Sequence, residues 1–551
     1  MDAPAAGKRP HEDGDAPEPK RVKTDEETAV DDGQATASEQ PAASETPAAD
    51  APDAAKAGGR PKGKGRGAAA NPKSRKGKEK DTKKPGRRQR TRNEEVAEDG
   101  PAETSGEPKT PRLPKRMCAL LIGFCGSGYS GMQIQQNSKT IENALFDAMV
   151  RAGAVSQDNA DDPVKVNIAR AARTDAGVHA AGNIVSLKMI THVPGVPDMT
   201  ARINEELPPE IRVWGYVRVQ NSFNPRALCD SRKYTYFFPS YLLIPPKPTS
   251  ALYRVLTEHA AALSPPLPSP LAGHPFWVNG GDAATDADGE DMARKRAWRV
   301  GPAQLAKLRA SAQKYIATHN FHNFTVNGEF GDRSNQRIMK NIVIADPVVY
   351  GETEWISVLF HGQSFMMHQR KMISILVLAC RTGTPPQIID ELYGPRDVFI
   401  PKMPALGLLL EQPIFDSYNT KVGRVNAKLE DGPAHADYRP PIDFAVHEEA
   451  VAAFKQAYIY DNMRQVEDRD GLFDAWIRMV DAYGGNDLLY LNPKGTIPSA
   501  AVVKDGHRKH AFKEKRLFDA TSFPEMKQSL DAEEEEGEEE VDKRKRVDTE
   551  G

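Results

Sequence analysis

The chain has 551 residues, a formal net charge of −3 and 27% charged residues, with a mean hydropathy of −0.59. No apolar run reaches membrane-spanning length and the N-terminus does not read as a secretory signal, which sets aside membrane and secreted classes and points to a soluble intracellular protein. Cys118, Cys125, Cys229 and Cys380 form no Cys-x-x-Cys pair and have no histidine cluster at zinc spacing, so they read as reduced thiols and carry no metal signal.

Residues 1–112 have almost no apolar periodicity and are expected to be disordered, because they cannot bury enough surface to offset the entropy of ordering. Within them Lys8-Arg9 and Lys20-Arg21-Val22-Lys23 are spaced like a bipartite nuclear import signal, implying the nucleus as location and the import machinery as a partner. From Lys56 to Arg92, 16 Lys or Arg stand against 2 Asp or Glu, a net of +14 that attracts phosphate backbones without reading sequence.

The folded part begins near Leu113. An N-terminal half, 113–244, reads as a strand over Cys118–Phe124, a helix over Thr140–Val150 and strands over Val164–Ile168, Ile184–Ile190, Val213–Val219 and Lys233–Phe238. In the helix Ile141, Leu145 and Met149 share a face and Thr140 can cap the start. Residues 245–300 read as a flexible insertion, rich in proline and then in Gly and Asp. The C-terminal half, 301–415, reads as a helix over Gln304–Thr318, strands over Arg337–Val348 and Trp355–His361, and a helix over Phe365–Cys380. A helical extension over 416–520, with helix between about His447 and Tyr483, precedes a charged tail, 521–551. Strands and helices do not alternate one for one, which predicts an α+β fold with a mostly antiparallel sheet.

Gly126-Ser127-Gly128-Tyr129-Ser130-Gly131 is a literal G-x-G-x-x-G after a strand. A dinucleotide site needs the helix to open at the last glycine, so that its N-terminus meets the pyrophosphate. Here the helix starts only near Thr140, and no acidic residue ends a second strand at the right distance. The motif instead reads as a loop whose backbone approaches something closely.

Asp175 lies between two strands in Arg173-Thr174-Asp175-Ala176-Gly177. Asp before small residues is first a turn signal. Arg173 adds a second reading, since a nearby guanidinium favours an ionised, fixed carboxylate that can act as a nucleophile.

The stretch Ala172-Arg173-Thr174-Asp175-Ala176-Gly177-Val178-His179-Ala180 resembles the signature of the TruA class of tRNA pseudouridine synthases. Five further elements agree in order: Phe124–Gln133, Phe223-Asn224-Pro225-Arg226 with Arg232–Tyr236, His319–Thr325, Gly362–Met372 and Pro404–Leu408. The wording of 169–174 and 363–366 is most similar to the eukaryotic tRNA pseudouridine synthase 1 branch. The resemblance implies the pseudouridine synthase fold, two α+β halves sharing one sheet around a central RNA-binding cleft. It implies an isomerase that extrudes a uridine from tRNA, and from other structured RNAs such as snRNA and mRNA, without cofactor or metal.

By the same resemblance Asp175 is the nucleophile, attacking ribose C1′ or base C6. Arg173 fills the gap in the base stack or contacts phosphate. Tyr234 stacks on the extruded uracil, with a hydroxyl able to take a proton, and Arg370 pairs with Asp175. The class usually runs six residues from its helix Phe to its Arg, whereas Phe365 to Arg370 is five, so Lys371 is the competing partner of Asp175. His179 and His368 read as structural. Ala176 stands where the eukaryotic branch often has Lys, matching bacterial members. The rival reading, a catalytically inactive RNA-binding protein of this fold, is opposed by the intact Arg173, Asp175 and Tyr234 set. Whether the chain dimerises as bacterial members do is left open, because the insertion can block that surface.

Overall fold

Strand β1 (Lys115–Phe124) is buried on both faces from Met117 onward, which is why its apolar run does not alternate. This computed structural model describes residues 113–503 apart from 136, 279–287 and 327. The expectations for residues 1–112, 504–520 and the tail 521–551 lie outside the described residues. The other strands are β2 (Ala169–Arg170), β3 (His179–Ile190), β4 (Ile211–Arg218), β5 (Ser231–Pro239), β6 (Ala317–Asn320), β7 (Gln336–Ile344), β8 (Val348–Tyr350), β9 (Thr353–Gly362) and β10 (Leu408–Ile414). They form one sheet in the order β4-β1-β3-β10-β5-β9-β7-β6, with β2 on β3 and β8 on β9. Every pairing is antiparallel except β3 with β10, which run parallel where Leu409 and Leu410 face His179 and Ala180. The fold is therefore α+β with a mostly antiparallel sheet, as the lack of alternation predicted.

The helices are α1 (Ile141–Arg151), α2 (Met199–Glu206), α3 (Ala251–Ala261), α4 (Pro275–Val278), α5 (Asp288–Ala297), α6 (Pro302–Gln313), α7 (Lys371–Arg381), α8 (Gln387–Glu391), α9 (Asp416–Asn426), α10 (Glu448–Phe454), α11 (Asp461–Asp470) and α12 (Leu472–Asp481). Thr140 caps α1 by accepting from the Asn143 N–H. Ile141, Leu145 and Met149 of α1 and Ile203 of α2 then pack against Leu120, Ile122, Val185 and Leu187. On the other side of β1, Met117, Ala119 and Leu121 meet Phe415, Tyr418 and Val422 around α9. In the C-terminal half Leu308 of α6 and Ile375, Leu376 and Ala379 of α7 cover Phe238, Ile356 and Val358.

Four segments depart from the sequence reading. Val164–Ile168 is not a strand: Pro163 has no N–H to give a ladder, Asp162 caps Val164, and a 3₁₀ turn over Pro163–Val166 results, leaving only β2 on the sheet. The helix from Gln304 does not reach Thr318, since α6 ends at Gln313 and Ala317, at φ 102°, turns the chain into β6. The helix placed over Phe365–Cys380 starts at Lys371, because His368 adopts φ 59° and the preceding turn is not helical. Residues 245–300, expected as a flexible insertion, contain α3, capped by Ser250, and send Leu252, Leu256 and Leu271 into the main core.

His179 opens β3 and is fully buried. Its Nδ1 accepts from the Gly126 N–H at 3.1 Å and its Nε2 donates to the Leu406 carbonyl at 3.1 Å, so the ring is neutral and protonated at Nε2. Burial pushes its pKa down from 6.5 to about 4, the Leu406 carbonyl opposing. The contribution of a neutral buried histidine is complete above the unfolded pKa and is lost as pH falls from 6.5 towards 4, by roughly 3 kcal/mol. Glu467, pushed up to about 7 by burial, titrates over an overlapping range with the opposite sign. A urea-denaturation series from pH 7.5 to 4 on wild type and His179→Gln cancels the Glu467 contribution. The advantage of wild type over the variant should shrink steadily across that range; a constant difference would exclude a neutral His179.

Candidate active site

Asp175 sits in the loop joining β2 to β3, and nearly every support of that loop is backbone or buried polar. Asn183, buried on β3, accepts from the Ala172 N–H at 3.2 Å and donates to the Ala172 carbonyl at 3.0 Å. The Met132 N–H donates to the Thr174 carbonyl at 3.1 Å, and the Gly177 N–H to the Tyr129 carbonyl at 3.3 Å. The glycine-rich loop thus approaches the Asp175 loop itself. Gly131 has φ 95°, and a Cβ there would lie 2.9 Å from the Thr174 oxygen; a Cβ on Gly126 would lie 2.1 Å from the Val178 oxygen.

One ion pair fixes the strand entering the loop. Arg170 donates through Nε and Nη2 to the two carboxylate oxygens of Glu142, at 2.5 and 2.8 Å, and the Ile134 N–H donates to the same carboxylate. Glu142 is fully buried, which raises its pKa; Arg170, the Ile134 N–H and Arg173 pull it back. Arg173 itself is exposed on the cleft wall.

Tyr234 of β5 forms the facing wall, its ring edge-on to Phe365 with centroids 4.7 Å apart. Burial pushes its phenol up to about 12; Arg232 opposes and the Asp175 charge adds. Tyr234 is therefore a neutral phenol at physiological pH. Arg232, two residues earlier, donates to the Gln363 carbonyl at 3.1 Å and to the Ala171 carbonyl at 2.9 Å, tying the Asp175 loop to the turn before α7.

That turn settles which side chain follows Phe365 into the site. Arg370 is the residue preceding α7, is 5% exposed and lines the cleft with Asp175. Lys371 points elsewhere, donating to the Thr325 carbonyl at 2.9 Å. His368, set aside as structural from sequence, has Nδ1 3.8 Å from Asp175 Oδ2. The signal for it was the short Phe365-to-Arg370 spacing, which demands a tighter turn. His179, by contrast, faces away from the cleft and joins backbone segments.

The cleft holds about 720 Å³ and is lined by six arginines (170, 173, 226, 232, 337 and 370) against two carboxylates, Asp175 and Asp332. Arg170, one of the six, is bound to Glu142, a carboxylate outside the lining. The excess of positive charge suits a polyanion, and the apolar Phe365, Met366 and Met367 suit a flat ring.

Residues 311–416 match the sequence profile described as tRNA pseudouridine synthase. The chain is 40% identical over 435 residues to tRNA pseudouridine synthase 1 of Candida glabrata, covering 72% of this chain and 76% of that one. It is 40% identical over 412 residues to tRNA pseudouridine synthase 1 of Saccharomyces cerevisiae, covering 68% and 73%. It is also 39% identical over 324 residues to the tRNA pseudouridine(27/28) synthase of Saccharomyces cerevisiae, covering 55% of this chain and 85% of that one.

The two glycine environments give opposite expectations for alanine. Gly131→Ala should cost on the order of 1–3 kcal/mol in urea denaturation, because a strained φ must carry a Cβ against carbonyl oxygen. Gly423→Ala, inside α9 with open space around it, should gain about 0.5–1 kcal/mol. Equal effects would mean that the glycine-rich loop does not support the Asp175 loop.

Proposed function

The chain belongs to the tRNA pseudouridine synthase family and is an isomerase that forms pseudouridine in tRNA, and from that premise we propose that Asp175 is the nucleophile of the reaction. The observation that carries this reading is a half-exposed carboxylate in a cleft lined by six arginines, with an aromatic wall facing it. The cleft is large enough for one nucleoside, and the uridine must leave its stack to reach it, which costs a few kcal/mol. Exposed Arg173 is suited to fill the space the base vacates or to meet the flanking phosphates.

Isomerisation breaks the N1–C1′ bond and makes a C5–C1′ bond with no net gain or loss of atoms or electrons, so the route draws on no cofactor or metal. In the route we favour, the Asp175 carboxylate attacks C1′ and uracil leaves with the N1–C1′ electron pair. Uracil turns within the cleft, C5 attacks C1′ and the carboxylate departs. C5 then loses its proton and N1 gains one. Tyr234 serves as the stacking wall that holds the detached base. As a neutral phenol it can accept a proton only while passing on its own. Buried Arg370 is the planar, permanently charged group suited to hold the carboxylate.

Other structured RNAs, including snRNA and mRNA, fit the same charge-based recognition, and the basic elements of residues 1–112 support nuclear import. Asp175→Asn should abolish pseudouridine formation on uridine-labelled tRNA while leaving RNA affinity within a few-fold; full turnover would end the proposal. Tyr234→Phe should retain more turnover than Tyr234→Ala, since the ring remains. Residues 1–112 fused to a fluorescent protein should accumulate in the nucleus, and alanine at Lys20, Arg21 and Lys23 should release it; diffuse signal from the unmutated fusion would refute import by this segment.

A further inference from the structure

The turn between Phe365 and α7 contains a backbone feature that its packing alone does not require. His368 has φ 59°, a conformation that few side-chain-bearing residues adopt and that costs on the order of 1 kcal/mol or more. The Thr325 hydroxyl donates to the Met367 carbonyl at 3.1 Å, and the Lys371 N–H closes back on the His368 carbonyl at 3.1 Å, so the conformation is held from both sides. Its result is that the imidazole enters the cleft with Nδ1 3.8 Å from Asp175 Oδ2, one fifth of the side chain exposed. His368 is the only histidine lining the cleft among the described residues.

We propose that His368 is a positioning residue for Asp175, donating a hydrogen bond from Nδ1 to the carboxylate when substrate closes the cleft and so fixing the oxygen that attacks. This rests on the reading of Asp175 as nucleophile. A separation of 3.8 Å is longer than a hydrogen bond, and such contacts often tighten only in the substrate complex. The histidine shares the cleft around the carboxylate with Arg370 from its own segment, Arg173 from the Asp175 loop, Arg226 and Arg232 near β5, and Asp332 and Arg337 before and in β7, while Lys371 turns to the Thr325 carbonyl. Among the groups around it, Asp332 is held low by Ser334, and Tyr234 is pushed up by burial. A donor to Asp175 favours its ionised form, so removing the donor should move the acid limb of activity to higher pH.

The test is single-turnover pseudouridine formation between pH 5 and 8, with RNA affinity measured alongside. His368→Gly removes the ring but keeps the turn, since glycine takes positive φ freely. It should slow the chemical step by roughly 10- to 100-fold, leave RNA affinity within a few-fold, and shift the acid limb up by about one pH unit. His368→Asn, which tolerates the same φ and carries an amide donor, should recover most of the rate. His368→Gly at the wild-type rate with an unmoved acid limb would overturn the proposal, as would a loss that follows RNA affinity or that Asn does not recover. An Asp175→Asn enzyme with full turnover would instead strike the reading of Asp175, and this inference with it.

Discussion

The neutral ring of His179 is the join on which the site depends. Gly126, His179 and Leu406 are far apart in the chain, and one imidazole bonds the first and last through its two nitrogens. At the same point β3 and β10 make the only parallel contact of the sheet, over two residue pairs. A two-pair parallel contact is weak by itself. The ring supplements it with two hydrogen bonds at a fully buried position, where an unmet polar group costs more than in solution. Because β10 then pairs with Tyr234 on its other edge, the carboxylate loop and its aromatic wall are placed by the same join.

Around this join the Asp175 loop is held almost wholly by groups that cannot swing away. Its supports are the backbone of the glycine-rich loop, the Asn183 amide and the Glu142–Arg170 pair. Fixed dipoles and a buried ion pair set the geometry before substrate arrives, so little reorganisation is left for the reaction step. Burial raises the Glu142 pKa, and Arg170, the Ile134 N–H and the nearby Arg173 oppose that rise. Arg173, the residue proposed to meet phosphate, is therefore also one whose charge steadies the loop's own foundation.

Much of this was legible in the sequence, and the failures have physical causes. The continuous apolar run of β1, the capped stripe of α1 and the lack of strand–helix alternation all translate directly into the observed sheet and its cover. The strand expected at Val164–Ile168 failed because Pro163 and Asp162, both turn-forming, outweigh the apolar residues that follow. The early start of the helix at Phe365 failed for a different reason. Periodicity counts apolar residues but is blind to φ, and the turn at His368 lies beyond its reach. The glycine-rich motif was expected to bring its backbone close to something, yet nothing in its spacing says that its neighbour would be the Asp175 loop. The role of His179 was equally hidden, because an isolated histidine beside a strand does not announce its two partners.

Under the proposed reading of the site, chemistry and selection fall to different residues on this scaffold. Arg370 and the Arg170–Glu142 pair are buried or nearly so, and their positions are set by the fold. Arg173, Arg226, Val326 and Met367 line the same cleft but are exposed, and nothing in the core dictates their side chains. Exposed arginines bring in any RNA backbone at nearly equal strength, since phosphates carry no sequence. Discrimination among uridines must then come from how the flanking nucleotides fit a rim of long, mobile side chains and two apolar contacts. A rim of that kind can change its preferred site by single substitutions without disturbing the buried set. Ala176, beside Asp175 and half-buried, is the position where the two sets touch. A larger side chain there would press on the rim and on the carboxylate loop together, which makes it the point at which a change of target would also cost rate.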